Sequence, residues 1–296
     1  MEHAAAHEGT GAKKRATLYV VATPVGNLAD ISRRALEVLG SVDAVAAEDT
    51  RVTGRLLAHY GIEKRLIAVH EHNERRAADE VLKLLAAGHS LALTSDAGTP
   101  AISDPGAVVV AAVREAGYPV SPVPGPNAAI AALSVSGMAA PHFLFYGFLP
   151  AKAAARRREL AQLAALPFAL VFHEAPHRIE ECVADLLAAL GGERRIVLAR
   201  ELTKLFETVH ECALADAPAW LAADANRRKG EFVIVVEGQT AAMEKDAGLA
   251  QRALEALLEE LPLKQAVDLA TKIAGSKRNE LYRRALQMKE NSKIRR

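Results

Sequence analysis

Short apolar runs alternate with amphipathic segments along the first half of the chain. Mostly apolar runs bounded by turn residues are typical of strands buried on both faces of a sheet, and they predict strands at 17–23, 42–47, 66–69, 91–94 and 119–123. The intervening segments repeat apolar residues at helical spacing and predict helices at 31–39, about 51–59, about 74–87, 107–115 and 128–136. This alternation predicts a mainly parallel sheet with helices on both faces.

Three polar residues indicate where helices begin. Asp30, Asp104 and Asn127 each stand just before a predicted helix, and their side chains can accept a hydrogen bond from its first turn. Pro105 follows Asp104 and suits the first helical position. We therefore expect helices capped at these three places.

The second half of the chain is less regular. It predicts strands at 143–148, 168–172, 195–199, 206–212 and 231–237, with helices that start near 156 and cover 179–190 and 219–225. The run at 206–212 alternates apolar and polar residues, as a strand with one solvated face does. We expect a second, mixed sheet that is partly antiparallel.

The pattern divides the chain into four parts: a disordered leader at 1–16, one α/β domain at 17–136, a second at 137–240, and a helical unit at 241–296. The last part follows a linker at 239–248. It contains predicted helices at 249–260, 263–273 and 277–288, the last two joined by a glycine turn at 274–276. Two short helices joined in this way resemble a helix-turn-helix.

Charge is unevenly spread along the chain. The net charge is +1, yet residues 277–296 contain eight Lys or Arg and two Glu, a balance of +6, which leaves −5 for residues 1–276. A basic end suits an acidic partner, and a solvated tail is the alternative. The sequence predicts neither a membrane span nor a signal peptide. Two cysteines without a CxxC spacing indicate neither a disulfide framework nor a metal site, so we expect a cytoplasmic protein.

Three loops rich in small residues follow predicted parallel strands, at 24–29, 95–104 and 124–127. Ligands bind open α/β sheets at the carboxyl ends of the strands, so these loops are candidate ligand loops. None has the usual dinucleotide or P-loop fingerprint. Glu48 and Asp49 end another strand, where they could bind a ribose or cap the next helix.

Seven motifs identify a family. TPVGNLADIS, AAEDTRVTGRLL, LTSDAGTPAISDPG, PVPGPNAAIAAL, FYGFLP, FHEAPHRI and ARELTKLFET occur in this order. Together they resemble the bacterial ribosomal RNA small subunit methyltransferase I family of the tetrapyrrole-methylase superfamily. The resemblance covers residues 17–237, and the C-terminal helices resemble that family's helix-turn-helix end.

The resemblance implies two α/β domains of the class III methyltransferase type, with a cofactor cleft between them. It implies a homodimer that uses S-adenosylmethionine to methylate the 2′-hydroxyl of a cytidine in the decoding region of 16S rRNA, in the small ribosomal subunit. Matched motif to motif, the cofactor-binding residues would be Pro24, Val25, Asp96, Gly98, Thr99, Asn127, Ala128 and Glu174.

Methyl transfer to a hydroxyl needs an aligned acceptor and a group that takes its proton. The candidate catalytic residues are Glu48, Asp49, Arg51, Glu174, Arg200 and Glu201. All of them follow predicted strands, and none is singled out as the base. The alternative for Arg200 and Glu201 is a structural ion pair.

Basic side chains are candidate phosphate contacts. They are Lys152, Arg156, Arg157 and Arg158 in the second domain, and Lys277, Arg278, Arg283 and Arg284 at the basic end. A solvated helix face is the alternative for the first group. Two other functions stay open: a precorrin-type tetrapyrrole methyltransferase, and a nucleic-acid-binding regulator without enzymatic activity.

Overall fold

The structure is a computed structural model that describes residues 15–138, 141–239, 252–258, 260–274, 281–283, 285, 286 and 288. The chain divides into two compact units. The first contains the described residues up to Ser136 together with Ala199–Val209 and Gly230–Val233; the second contains the described parts of Gly137–Leu198, His210–Lys229 and Ile234 onward.

The first unit is built on a five-stranded sheet with the order β3-β2-β4-β1-β5. Every neighbouring pair in it is parallel, so the parallel sheet is confirmed. Its strands are β1 (Leu18–Val21), β2 (Ala44–Ala47), β3 (Arg65–Ala68), β4 (Leu91–Thr94) and β5 (Val120–Val123). Its helices are α1 (Arg33–Ser41), α2 (Thr50–His59), α3 (Glu74–Ala86), α4 (Ala107–Glu115) and α5 (Ala128–Val135).

Two apolar clusters cover the two faces of this sheet. Leu91 and Leu93 pack with residues of α3 and α4, whereas Ala92 between them packs with residues of α1 and α2. Successive side chains of a strand point to opposite faces, so a strand buried on both faces is apolar at nearly every position. The exception in β4 is the buried Thr94, whose hydroxyl is hydrogen-bonded to Thr53 at 3.3 Å. Burial on both sides fixes β4 in the middle of the sheet, and the loop that follows it starts from a rigid support.

Part of the predicted leader packs against the first unit. Residues 1–14 lie outside the described residues. Ala16 belongs to the apolar cluster, and the Arg15 guanidinium donates a 2.7 Å hydrogen bond to the carbonyl of Gly117.

Two of the three predicted helix caps are wrong. Asp30 ends a short 3₁₀ turn at Leu28–Asp30, and Ser32 caps α1 instead by accepting from the amide of Ala35 at 3.1 Å. Asp104 also caps nothing, because α4 begins three residues later, after Gly106. The third prediction is confirmed, since the Asn127 side chain accepts from the amide of Ile130 at the start of α5.

A distant carboxylate replaces the expected cap of α4. The Gly106 amide donates a 2.5 Å hydrogen bond to Glu74 in the first turn of α3. Gly106 has a φ of 127°, in the region that favours glycine. This backbone turn directs the chain from the long loop into α4.

The second sheet has the order β6-β7-β10-β8-β9. Strands β6 (Phe143–Phe148) and β7 (Ala169–Glu174) are parallel. Strands β8 (Arg195–Arg200) and β10 (Phe232–Val236) are antiparallel, because the Glu237 amide donates to Arg195 at one end and the Glu201 amide donates to Glu231 at the other. The predicted mixed sheet is therefore confirmed. The remaining elements are α6 (Ala153–Leu163), α7 (Ile179–Leu190), β9 (Thr208–Ala213), α8 (Ala217–Ala222) and a 3₁₀ turn (Ala225–Arg228).

The C-terminal residues form an apolar cluster of their own. Leu254, Val267 and Leu281 are buried in it, and Val267 lies on α9 (Leu263–Ala274). Residues 240–248 of the predicted linker at 239–248, and the glycine of the turn at 274–276, lie outside the described residues. No helix in the described ranges is long and apolar enough to cross a membrane.

We predict that Gly106→Ala lowers the free energy of unfolding by about 1–3 kcal/mol, the usual cost of a strained backbone position. The added Cβ would lie 2.8 Å from Leu93 Cδ2, in addition to the unfavourable φ. The measurement is the midpoint of urea unfolding.

Gly40→Ala is the matched control, because Gly40 lies in α1 and a Cβ there would meet nothing within 4 Å. This control should be neutral or stabilising by up to about 1 kcal/mol. Equal stability of the Gly106 variant and the wild type would show that the turn into α4 tolerates a side chain.

Candidate cofactor site and catalytic residues

The three candidate ligand loops meet at one edge of the first sheet. Thr23 and Gly98 exchange two backbone hydrogen bonds of 2.8 and 3.0 Å, which join the loop after β1 to the loop after β4. The Thr99 hydroxyl donates to the carbonyl of Pro126 at 3.2 Å, which joins the latter loop to the one after β5. Val25 is buried beside Gly98. The loops therefore form one continuous surface at the carboxyl ends of β1, β4 and β5.

Reciprocal hydrogen bonds add the loop after β2 to this surface. The Asp49 amide donates to the Asp96 carboxylate at 3.0 Å, and the Asp96 amide donates to the Glu48 carboxylate at 3.1 Å. The sequence predicts Asp96 as a cofactor residue and Glu48 and Asp49 as catalytic residues. The structure brings these three side chains together.

Asp104 also interacts electrostatically with Glu48 and Asp96. The cluster therefore contains four neighbouring carboxylates, those of Glu48, Asp49, Asp96 and Asp104. Partial burial raises the pKa of Glu48, and repulsion from Asp104, Asp96 and Asp49 raises it further, against a lowering by the Asp96 amide. Burial likewise raises the pKa of Asp96 and of Asp104. A site of this charge favours a cationic ligand.

Asp49 differs from its neighbours because it is ion-paired. Its carboxylate accepts from the Arg51 side chain at 2.6 Å and from the Arg51 amide at 2.8 Å. These bonds hold the pKa of Asp49 well below its usual range. Asp49 is also the N-cap of α2, so the alternative that it caps the next helix is correct.

A cavity of about 220 Å³ adjoins the cluster. Sequence reasoning predicted Pro24 and Asp96 but missed the α2 side of this cavity, because nothing in the local pattern marks helix residues as lining. The lining residues are Pro24, Leu28, Val52, Thr53, Arg55, Leu56, Ser95 and Asp96.

Asn127 and Ala128 open α5 immediately after the third loop, and both are half-buried. The side chain of Asn127 is engaged in capping. The side chain of Asn127 therefore fixes the end of the loop at 124–127 against α5.

Glu174 is buried inside the second unit. Its carboxylate has no exposed surface, and it pairs with Arg178 Nε at 3.1 Å. It also accepts from the amide of Ala175 at 2.8 Å. Burial raises the pKa of the neighbouring Cys182 thiol, with a further contribution from Glu174. Such a fully engaged carboxylate is suited to holding the loop after β7 in place.

Glu201 is ion-paired with a residue other than its neighbour in sequence. Lys204 Nζ lies 2.9 Å from Glu201 and 2.9 Å from Glu231. Arg200 instead donates to the carbonyl of Phe206 at 2.9 Å. Glu201 thus forms its close ion pair with Lys204, and Arg200 also interacts favourably with the Glu201 carboxylate, as the structural alternative predicts.

The basic residues of α6 do not form one surface. Arg156 is buried and pairs with Asp185 at 2.7 Å, so its expected contact with phosphate is corrected to a structural role. Arg157 pairs with the same carboxylate at 2.6 Å but stays largely exposed. Lys152 and Arg158 are exposed. Arg283 is exposed, whereas Lys277, Arg278 and Arg284 lie outside the described residues.

The donor set at the first sheet fits S-adenosylmethionine. That molecule carries a sulfonium and an ammonium, both of which favour nearby carboxylates, and the Asp96 side chain is exposed at the loop surface. The carboxylate and the adenine of S-adenosylmethionine can be held by backbone groups of loops that lack bulky side chains. No group of His, Cys, Asp or Glu able to hold a metal ion occurs within the described part of the chain.

Comparison with known proteins agrees with this architecture. The family model for tetrapyrrole (corrin/porphyrin) methylases matches residues 17–218, and the model for the RsmI C-terminal HTH domain matches residues 244–289. A solved uroporphyrin-III C-methyltransferase from Thermus thermophilus, complexed with S-adenyl homocysteine, has a TM-score of 0.53 at 18% identity and covers 77% of this chain and 99% of its own. The fold and the site thus define a methyltransferase of the tetrapyrrole-methylase class.

Relatives of higher sequence identity show which family of this class the chain belongs to. The ribosomal RNA small subunit methyltransferase I of Escherichia coli O157:H7 is 52% identical over 91% of this chain and 94% of its own. The protein of the same name from Pseudomonas aeruginosa is 52% identical over 93% and 99%. The chain belongs to the ribosomal RNA small subunit methyltransferase I family, and it is an S-adenosylmethionine-dependent methyltransferase.

We predict that Glu48→Gln stabilises the fold at about pH 7, with an effect that shrinks towards about pH 4. The pKa of Glu48 is raised in the folded state, so folded protein binds its proton more tightly than unfolded chain does. The stability that protonated Glu48 contributes is consequently lost as the pH rises from about 4 towards about 7. Glutamine removes the charge and still accepts from the Asp96 amide.

Thermal unfolding at the two pH values checks this prediction. The control is Glu37→Gln, which removes an exposed carboxylate paired with Arg33 on α1 and should change little at either pH. A Glu48→Gln protein that is less stable than wild type at neutral pH would contradict the repulsion described for the cluster.

Proposed function

We propose that this enzyme transfers the methyl group of S-adenosylmethionine to the 2′-hydroxyl of a cytidine in the decoding region of 16S rRNA. The observation that supports it most is the joined set of loops at the carboxyl edge of the first sheet, in a chain that is about half identical to rRNA methyltransferases over nearly its whole length. We further propose a cytoplasmic homodimer that acts on RNA of the small ribosomal subunit.

The cofactor supplies an activated methyl group bound to a positive sulfur. The chain has to bind it, align the acceptor hydroxyl and take a proton. Loops 24–29, 95–104 and 124–127 would hold the cofactor, with Asp96 accepting from its hydroxyl or amine groups. The cofactor would thus be bound largely by loop backbone, which the buried sheet holds in place.

Glu48 is the proposed proton acceptor among the candidate carboxylates. Asp49 is tied to Arg51, Glu174 is buried with Arg178, and Glu201 is held by Lys204. Glu48 is half-buried and its pKa is raised, which makes it a stronger base than an ordinary carboxylate. Its place beside Asp96 puts it next to the proposed cofactor loops.

The basic end of the chain favours RNA over the precorrin-type alternative. Residues 277–296 carry a balance of +6. A small acidic tetrapyrrole does not require this charge, whereas binding of basic residues to the phosphodiester backbone of RNA is favoured by the release of counterions. The membership in a methyltransferase family argues against a regulator without enzymatic activity.

Transfer of labelled methyl groups to different acceptors tests the proposal. The full-length enzyme is incubated with labelled S-adenosylmethionine and with assembled small subunits, naked 16S rRNA or a tetrapyrrole. We expect label on ribosomal RNA, which nucleotide mapping places on a cytidine ribose. Label on the tetrapyrrole alone would overturn the proposal, as would label on an RNA base.

We predict that Asp96→Asn weakens S-adenosylmethionine binding by about 1–3 kcal/mol, because a charged acceptor is lost. Asparagine keeps an oxygen that can accept from the Asp49 amide, so the loops should stay joined. Calorimetric titration measures the affinity. The control, Asp79→Asn, removes an exposed carboxylate from α3. Equal affinities in both variants would remove Asp96 from the cofactor site.

We also predict that replacing Lys152 and Arg158 with Gln weakens RNA binding and flattens its salt dependence. Each lost phosphate contact reduces the slope of log affinity against log salt by about 0.7–0.9. A variant with Gln at Arg76 and Lys83, both exposed on α3, controls for the same loss of charge. If the two variants have the same slope, Lys152 and Arg158 do not contact RNA.

A further inference from the structure

Two large apolar side chains lie exposed at the tip of a short loop in the first unit. Leu205 is 89% exposed and Phe206 is 67% exposed. The loop runs from Arg200 at the end of β8 to Thr208 at the start of β9. Single exposed apolar residues are ordinary, but an adjacent pair of this size at a loop tip indicates an interaction.

The backbone of this loop is held in an unusual conformation. Glu201 and Thr203 have φ values of 53° and 66°, which non-glycine residues rarely adopt. Lys204 bridges Glu201 and Glu231, and the Thr203 amide donates to Glu207 at 2.6 Å. The contacts compensate the strain, so the tip is displayed by a preformed loop.

The same loop lies directly against the first proposed cofactor loop. A Cβ on Gly26 would lie 2.5 Å from Lys204 Cγ, 2.9 Å from Thr203 Oγ1 and 3.1 Å from the Leu202 carbonyl. Gly26 lies two residues after Pro24, which borders the cavity beside Asp96. Only a residue without a side chain fits here, and the apolar tip is consequently anchored beside the loop that would hold the methyl donor.

We propose that Leu205 and Phe206 contact an unstacked nucleobase of the RNA substrate and so position the acceptor nucleoside. This inference rests on the proposed function. Sequence-specific recognition of RNA usually targets unpaired nucleotides, whose bases are free to stack on aromatic side chains.

The surroundings of the tip favour a base over a phosphate. Glu207 follows Phe206 directly and is exposed, and the Glu231 side chain at the foot of the loop is 78% exposed. The loop at 200–208 and Glu231 together contain three carboxylates against two cations, Arg200 and Lys204, so a net negative charge remains that disfavours the RNA backbone. A neutral, flat, polarisable group is the part of a nucleotide that fits an apolar tip between acidic residues.

The tip is small for an interface with a second copy of the chain. A fully covered aromatic side chain buries about 150–250 Å², so a pair of large side chains offers at most about 500 Å². A standard protein interface needs about 800 Å² from each partner. This small area argues against binding of a second copy of the chain at the tip. The experiment must still exclude that alternative.

Steady-state methylation kinetics on ribosomal RNA, with saturating S-adenosylmethionine, test this inference. We expect Phe206→Ala to raise KM for RNA about 5- to 100-fold, the range for loss of one stacked base. Cofactor affinity and oligomeric state, measured by calorimetry and light scattering, should not change. Phe206→Trp should restore KM because it keeps an aromatic face, and Leu205→Ala should show a smaller increase.

Phe148→Ala is the matched control, because it removes a 54% exposed phenylalanine from β6 and should leave KM unchanged. A wild-type KM for Phe206→Ala overturns the inference and leaves the proposed function intact. Loss of activity together with dissociation of a dimer overturns it in favour of a contact between copies. A wild-type enzyme that transfers no methyl to RNA refutes the proposed function, and the inference falls with it.

Discussion

Two hydrogen bonds between neighbouring strand ends organise the site. The Asp49 amide donates to Asp96, and the Asp96 amide donates to Glu48. Each loop thus supplies both a donor and an acceptor, so movement of either loop breaks both hydrogen bonds. The same bonds bring carboxylates together, and burial, with a further contribution from their mutual repulsion, raises the pKa of Glu48 and of Asp96. Geometry that fixes the loops also creates a site suited to a cationic ligand.

The sheet beneath these loops makes the arrangement possible. Parallel strands place their carboxyl ends on one edge, and β4 lies between β2 and β1 with apolar packing on both faces. The bridge between Thr23 and Gly98 then continues the pairing beyond the strands. Rigid support matters because methyl transfer depends on alignment more than on a strong catalytic group.

The sequence predicted much of this framework, because strands buried on both faces and small-residue loops leave a local pattern. The cap at Asn127 is local in the same way, since donor and acceptor lie three residues apart. The wrong cap at Asp30 is a local error, since Ser32 two residues later caps α1 instead, but two other failures involve partners far apart in the chain. Glu74 contacts Gly106 across 32 positions, and Asp185 pairs with Arg156 across 29. Hydrophobic periodicity carries no information about such pairs. The positive φ of Thr203 is hidden for the same reason, because a threonine gives no sign of it.

Hydrogen exchange of backbone amides, with and without S-adenosylmethionine, tests most directly whether the joined loops of the first sheet hold the cofactor. Amides that a ligand covers or holds in hydrogen bonds exchange more slowly. We predict slower exchange on binding in peptides that contain residues 24–29, 95–104 and 124–128, and little change in α3. Protection that leaves all three loops unchanged and appears elsewhere in the chain would contradict this account of the site.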